Sequence, residues 1–214
     1  MKKLLLLVVM LPLYCKAQNF EFGLNGGCNF HFLPIHNIYT AGDKAVIGYA
    51  ASFKADLVLP SAQIGVGVDV VNFSQYNYLM PVYTNKVYDH VANPLISPYA
   101  FYNRTWRNII NGYLYTGLMG GLAIAKIGLN TWEYANGPYG NPTGYSTSYN
   151  SAIGFTAGLQ TGAVFMISKQ LGANVEAALR YTDYNYTIPG TILQDPYHYR
   201  LFYIPITVGL RYLM

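Results

Sequence analysis

Four histidines, a single cysteine beyond position 18 and a sparse set of carboxylates hold whatever chemistry this chain could perform. The histidines are His31, His36, His90 and His198, and the last three fall in segments that read as loops. His90 follows Asp89 directly and His198 follows Asp195 closely, so these are the two places where an imidazole and a carboxylate stand together. Neither fits an H-E-x-x-H zinc pattern, there is no C-x-x-C pair, and no G-x-S-x-G elbow or phosphate-cradling glycine loop occurs. Both pairs read as solvated loop residues. No catalytic, cofactor-binding or metal-binding residue is assigned, and the chain is expected not to be an enzyme. Cys28, alone, reads as an apolar packing position.

A second group has a more orderly spacing. Glu21, Lys54, Asp56, Asp69, Glu176, Arg180 and Arg211 all fall on the polar side of segments in which apolar and polar residues alternate. They carry both signs, and charges that are buried must be paired. Their arrangement predicts an internal ion-pair network, provided that the polar side faces inward.

That condition depends on the elements carrying them. Period-two segments recur along the chain, which is the signature of strands. "FEFGLNGGCNFHF" opens the series from Phe20, and "FYIPITVGLRYLM" closes it at Met214. Further alternating runs lie near 49–59, 63–70, 112–128, 153–160 and 171–181, and "NPLISPYAFYNRTW" (Asn93–Trp106) is the eighth candidate despite Pro94 and Pro98. Eight strands leave short turns near 60–62, 107–111 and 168–170 and long connectors near 33–46, 77–92, 129–149 and 187–198. Such strict alternation matches periplasmic turns and external loops of an up-and-down barrel.

A soluble, lipocalin-like barrel would turn its polar face to water, whereas a membrane barrel reverses the two faces. The polar faces here carry Gly23, Gly27, Gly65, Gly67, Gly154, Gly158, Gly162 and Gly172 in place of the Lys and Glu expected of a wetted surface. Glycine weakens a solvated strand but relieves crowding in a narrow lumen. The residues therefore predict an all-β, eight-stranded antiparallel transmembrane barrel with the glycine face inward. Composition agrees: 52% of residues are hydrophobic and only 10% charged, against about 25% charged in an ordinary globular domain. Tyr76, Tyr78, Tyr181, Tyr184, Tyr186, Tyr197 and Tyr199 cluster where strands should leave the hydrocarbon, as an aromatic girdle would.

The first residues, "MKKLLLLVVMLPLYCKAQ", combine two lysines, a short apolar run and a small-residue site. They read as a cleaved secretory signal over 1–17, leaving 18–214 as one barrel domain. Lipidation at Cys15 is the competing reading, disfavoured by Tyr14 and Pro12. Without Lys2, Lys3 and Lys16, ten basic residues face nine acidic ones, so the basic balance vanishes and gives no argument for nucleic acid.

On the opening strand, the segment "YTGLMGGLAI" and the closing strand, the chain resembles the small outer-membrane barrels of the Bacteroidetes, which are similar to OmpA/OmpX-type eight-stranded barrels. The resemblance implies a monomer in the outer membrane of a Gram-negative bacterium, with membrane lipid and the barrel-insertion machinery as partners. It also implies an insertion signal in the last strand, filled in order by Thr207, Gly209, Tyr212 and Met214, with Met214 standing where an aromatic is usual. Some such barrels modify lipids with a His and a Ser or Asp near the outer rim, a role only His198 or His90 could take here. The resemblance implies instead a structural or surface-interaction role, adhesion or ligand binding, through external loops. The loop "TWEYANGPYGNPTGYSTSYN" supplies Trp132, Tyr134, Tyr139 and Tyr145 as candidate recognition residues for an unknown extracellular ligand. A narrow ion or small-solute channel is the alternative, since side chains nearly fill an eight-stranded lumen.

Overall fold

A computed structural model describes residues 19–32, 46–72, 80–81, 86–92, 94–109, 111–134, 142–186 and 197–214. The signal segment, His36, Tyr76, Tyr78, Tyr139 and Asp195 lie outside them. The strands are β1 (Asn19–Phe32), β2 (Val46–Val58), β3 (Ala62–Val71), β4 (Met80–Pro81), β5 (Lys86–Ala92), β6 (Leu95–Ile109), β7 (Gly112–Tyr134), β8 (Pro142–Met166), β9 (Leu171–Tyr186) and β10 (Tyr197–Leu213).

Eight of them close a ring, β1-β2-β3-β6-β7-β8-β9-β10, in which every neighbouring pair is antiparallel and β10 returns to β1. Register fixes the shape. Following paired residues from Glu21 through Asp56, Gly65, Phe101, Met119, Gly158, Arg180 and Tyr203 leads back to β1 at His31. The stagger is thus ten residues, from position 21 to position 31 of one strand. Such a stagger tilts the strands by about 40° and leaves a lumen that side chains can fill.

The faces fall as alternation predicts. On β1, Glu21, Asn25 and Asn29 are buried while Phe22 and Leu24 are exposed, Leu24 at 67%. On β10, Tyr203, Thr207 and Arg211 are buried, and Phe202, Ile206, Val208 and Leu210 are exposed. Cys28 is also exposed on the apolar outer face, so it does not pack in a core. The barrel is an inside-out protein, with its polar residues packed at the centre and its apolar residues around the rim, as a lipid-facing barrel requires.

Short turns at 59–61 and 167–170, and the turn residue Asn111, sit at the end that also holds Met214, whose amide donates to the Phe20 carbonyl at 2.8 Å. Asn111 takes the left-handed conformation, φ 58°. The β8–β9 turn is tied by Ser168, whose side-chain oxygen accepts from the Leu171 amide at 3.0 Å.

The opposite end departs from expectation. The segment 129–149, expected as a loop, is mostly strand: β7 and β8 pair without a break out to Glu133↔Gly144 and, after a one-residue register shift, at Tyr134↔Pro142. Gly, Pro and Asn suggested a loop, but they concentrate in "ANGPYGN" (135–141), whereas Thr, Trp and Tyr on either side favour strand. The connector near 77–92 likewise contains β4 and β5. β5 takes over the β7 edge where β6 ends, pairing 86–92 with 127–133. Pro98 lies within β6, opposite Val68 on β3; towards β7 the ladder is recorded at Ile96 and Tyr99 but not between them. A proline can be held there because it has no amide to offer that side.

Candidate functional site

The lumen has three storeys. At the short-turn end a mouth of about 520 Å³ opens between Glu21, Tyr113, Lys169 and Leu213. Above it lies a polar plug. Near the long-connector end, Ala50, Val71, Leu95, Ala123, Ala125, Ala152, Leu201 and Tyr203 form an apolar layer, with Tyr184 packed against it. Tyr184 therefore faces inward, not into the girdle, because it shares the parity of Arg180 and Thr182. Tyr181 does face outward, its ring 4.8 Å from Phe202 and 5.8 Å from Phe155.

All seven predicted charged residues meet in the plug. Lys54, fully buried, lies 2.5 Å from Glu176 and donates to Gln160 at 3.1 Å. Arg211 reaches Glu21 and Asp56, each at 3.3 Å, and Glu176 at 3.9 Å. Arg180 crosses to Asp69 at 2.8 Å and lies over the Tyr99 ring, 4.8 Å from its centroid. Four carboxylates thus face three cations in a space closed to bulk water, where each pair must offset its own desolvation.

Neutral residues, which the sequence reading did not single out, join these ions. Tyr113 donates to Glu21 at 2.7 Å and accepts from Gln63 at 2.9 Å. Asn103 donates to Gln63 at 3.3 Å and accepts from Gln160 at 2.8 Å. Tyr115 donates to Glu176 at 2.6 Å, and Asn174 links Asn25, which reaches Ser52. The chain of bonds crosses strands far apart in sequence, so only the parity of Gln63, Asn103, Gln160 and Asn174 could have pointed to it.

Glycines make room for this. A Cβ at Gly67 would come 2.6 Å from the Tyr99 ring, and one at Gly23 would come 2.8 Å from Arg211. Large side chains therefore lie across bare backbone on the neighbouring strand.

Outside the barrel wall, Trp132 on β7 stands between Val87 on β5 and Tyr145 on β8 in the register, and Tyr134 is opposite Pro142. These residues belong to a sheet of β4, β5, β7 and β8 that continues the barrel wall. Of the candidate catalytic residues, Asp89 and His90 are on β5, opposite Asn130 and Leu129, and His198 is on β10, opposite Asn185, rather than in loops, while Asp195 lies outside the described residues. Among the described residues, no group of three or more His, Cys, Asp and Glu could hold a metal. Thr207 is buried in the lumen, whereas Tyr212 and Met214 are exposed on the outer face.

Closed staggered ring, apolar exterior and packed polar interior define the class: an eight-stranded antiparallel barrel of the outer-membrane type. A solved structure with the same fold agrees. Neisserial surface protein A aligns over 90% of this chain and 96% of its own, with 11% identity and a TM-score of 0.55. Weaker likenesses are outer membrane protein W of Escherichia coli, at 13% identity and TM-score 0.38 over 89% and 97% of the two chains, and the E. coli outer membrane protease OmpT, at 12% and 0.39 over 94% and 98%. No protein-family model matches the chain, and no curated protein matches its sequence.

Proposed function

We propose that this protein is exported, inserted in the outer membrane of a Gram-negative bacterium, and acts there as a non-enzymatic surface-interaction protein. The observation that carries this is the raised sheet. β7 and β8 run on together past the last β6 pair, Ile96↔Ile124, to Tyr134↔Pro142. The overhang is roughly 30 Å of strand at about 3.3 Å per residue. With β5 along one side it forms a wall beyond the lipid, and its register sets Trp132 opposite Tyr145 and Tyr134 opposite Pro142. Aromatic rings with Ser, Asn and Gly around them supply contact area at low entropic cost.

The plug argues against transport as the main role. Its four carboxylates and three cations are paired with one another, and the apolar cluster above them offers an ion little stabilisation. Large solute passage needs a far wider barrel, about 16 strands.

The test replaces residues 129–148 by an Asn-Gly turn, which joins the paired residues Gly128 and Tyr149. Cells displaying equal amounts of each protein are compared for attachment to immobilised host proteins and glycans. Attachment by the full chain that is lost in the trimmed barrel supports the reading. Equal attachment by both, or none by either, contradicts it.

A further inference from the structure

Arg200 and Asp183 face each other across β10 and β9 on the outside of the barrel. Arg200 is 60% exposed, and its Nε lies 3.3 Å from Asp183 Oδ2. The same oxygen accepts from the Tyr181 hydroxyl at 3.1 Å. Asp183, braced by Tyr181, thus fixes the guanidinium through Nε, and the terminal nitrogens meet no partner among the described residues. An arginine held this way offers two parallel donors to a phosphate. The Tyr181, Phe155 and Phe202 rings lie just below, which sets Arg200 at the upper border of the apolar belt.

From this point a furrow leads down the wall. The paired row Tyr181, Ala157, Gly120, Ala100, Val66 runs across five strands, and the stagger makes it descend towards the short-turn end. Its floor is low: a Cβ at Gly120 would meet nothing nearer than a carbonyl oxygen at 4.0 Å. Leu122 and Phe155 in the row above and Leu118 and Leu159 in the row below stand exposed as its banks. Around Pro98, the furrow opens into an apolar hollow of about 430 Å³, lined by Phe53, Val66, Val68, Ala100 and Leu122. From Tyr181 to Ala100 is three strand spacings, about 15 Å, or half the hydrocarbon thickness of a bilayer.

We propose that this outer surface is a site for one phosphate-bearing membrane lipid, its phosphate on the Arg200 terminal nitrogens and one acyl chain in the furrow. The occupant follows from charge and shape: a fixed cation at the border of the belt and an apolar channel of acyl length beneath it. The proposal rests on the membrane-spanning reading of the barrel and is independent of the raised sheet.

The folded protein in detergent is stripped of lipid and titrated with phosphatidylglycerol or with diacylglycerol of the same chains, and retained lipid is counted by native mass spectrometry. One saturable phosphatidylglycerol is expected, held roughly tenfold more tightly than diacylglycerol and not displaced by inorganic phosphate. Arg200→Gln should remove that preference, and Gly120→Leu should weaken retention of both lipids. Slower mobility of each variant after boiling certifies its fold, and Arg200→Lys, if Arg200→Gln fails to fold, should lose part of the preference. Equal retention of the two lipids, unchanged retention in Arg200→Gln or Gly120→Leu, displacement by phosphate, or a dimer that occupies the furrow would each overturn the proposal.

Discussion

Lys54 is the residue on which the plug turns. Its ammonium holds Glu176 and Gln160 and lies 5.3 Å from the centroid of the Phe101 ring, all without access to solvent. Lys54→Met leaves Glu176 with Tyr115 and a distant Arg211, and a buried carboxylate that loses its cation is expected to cost about 3–5 kcal/mol. Urea unfolding in detergent measures this, and the double substitution Lys54→Met with Glu176→Gln should recover most of the loss. If the single and double variants were equally unstable, the pair would not be the centre of the plug. Gly67 makes a second case. Gly67→Ala drives a methyl into the Tyr99 ring and should cost about 1–3 kcal/mol; adding Tyr99→Leu should relieve much of it, a coupling that a double-mutant cycle reads directly. At this scale the sequence was generous: alternation alone assigned the seven charged residues to the interior. It could not choose their partners, because Lys54 and Glu176 are brought together by ring closure, across strands distant in the chain.

At the scale of the strands, period two located all eight barrel elements, and it failed where composition was allowed to overrule it. The stretch from Thr131 to Tyr134 alternates like the rest of β7 but was read as a loop because Gly, Pro and Asn follow it. β5 was hidden for a different reason. Its pairing with the barrel strands is confined to the part of β7 that rises beyond β6, so it becomes visible only once β7 is extended. If the raised sheet stands apart from the barrel, replacing residues 129–148 by a two-residue turn should leave the unfolding free energy of the barrel within about 1 kcal/mol, since no plug residue is removed. A large loss would mean that the overhang supports the wall. The closing strand makes its own prediction. If Thr207, Gly209, Tyr212 and Met214 form the insertion signal, Met214→Phe should raise the folded fraction recovered from membranes, and Tyr212→Asp should lower it. Unchanged yields in both would remove that assignment.

For the whole molecule, the decisive relation is between a lumen stacked with paired ions beneath an apolar layer and a wall that rises past the last β6 pair. The first makes the barrel a support; the second is the surface proposed for recognition. Composition had indicated the inside-out arrangement through glycine on one face and missing charge on the other. It gave no sign of the apolar layer, because Ala50, Ala123, Ala125 and Ala152 are too small to distinguish an inner position from an outer one. A barrel plugged in this way should not conduct. The most direct test inserts the folded protein, verified by its heat-dependent gel mobility, into a planar bilayer under an applied potential. Current indistinguishable from that of the bare bilayer is predicted. Discrete, reproducible steps that change in size with Arg180→Ala or Glu176→Ala would contradict the account.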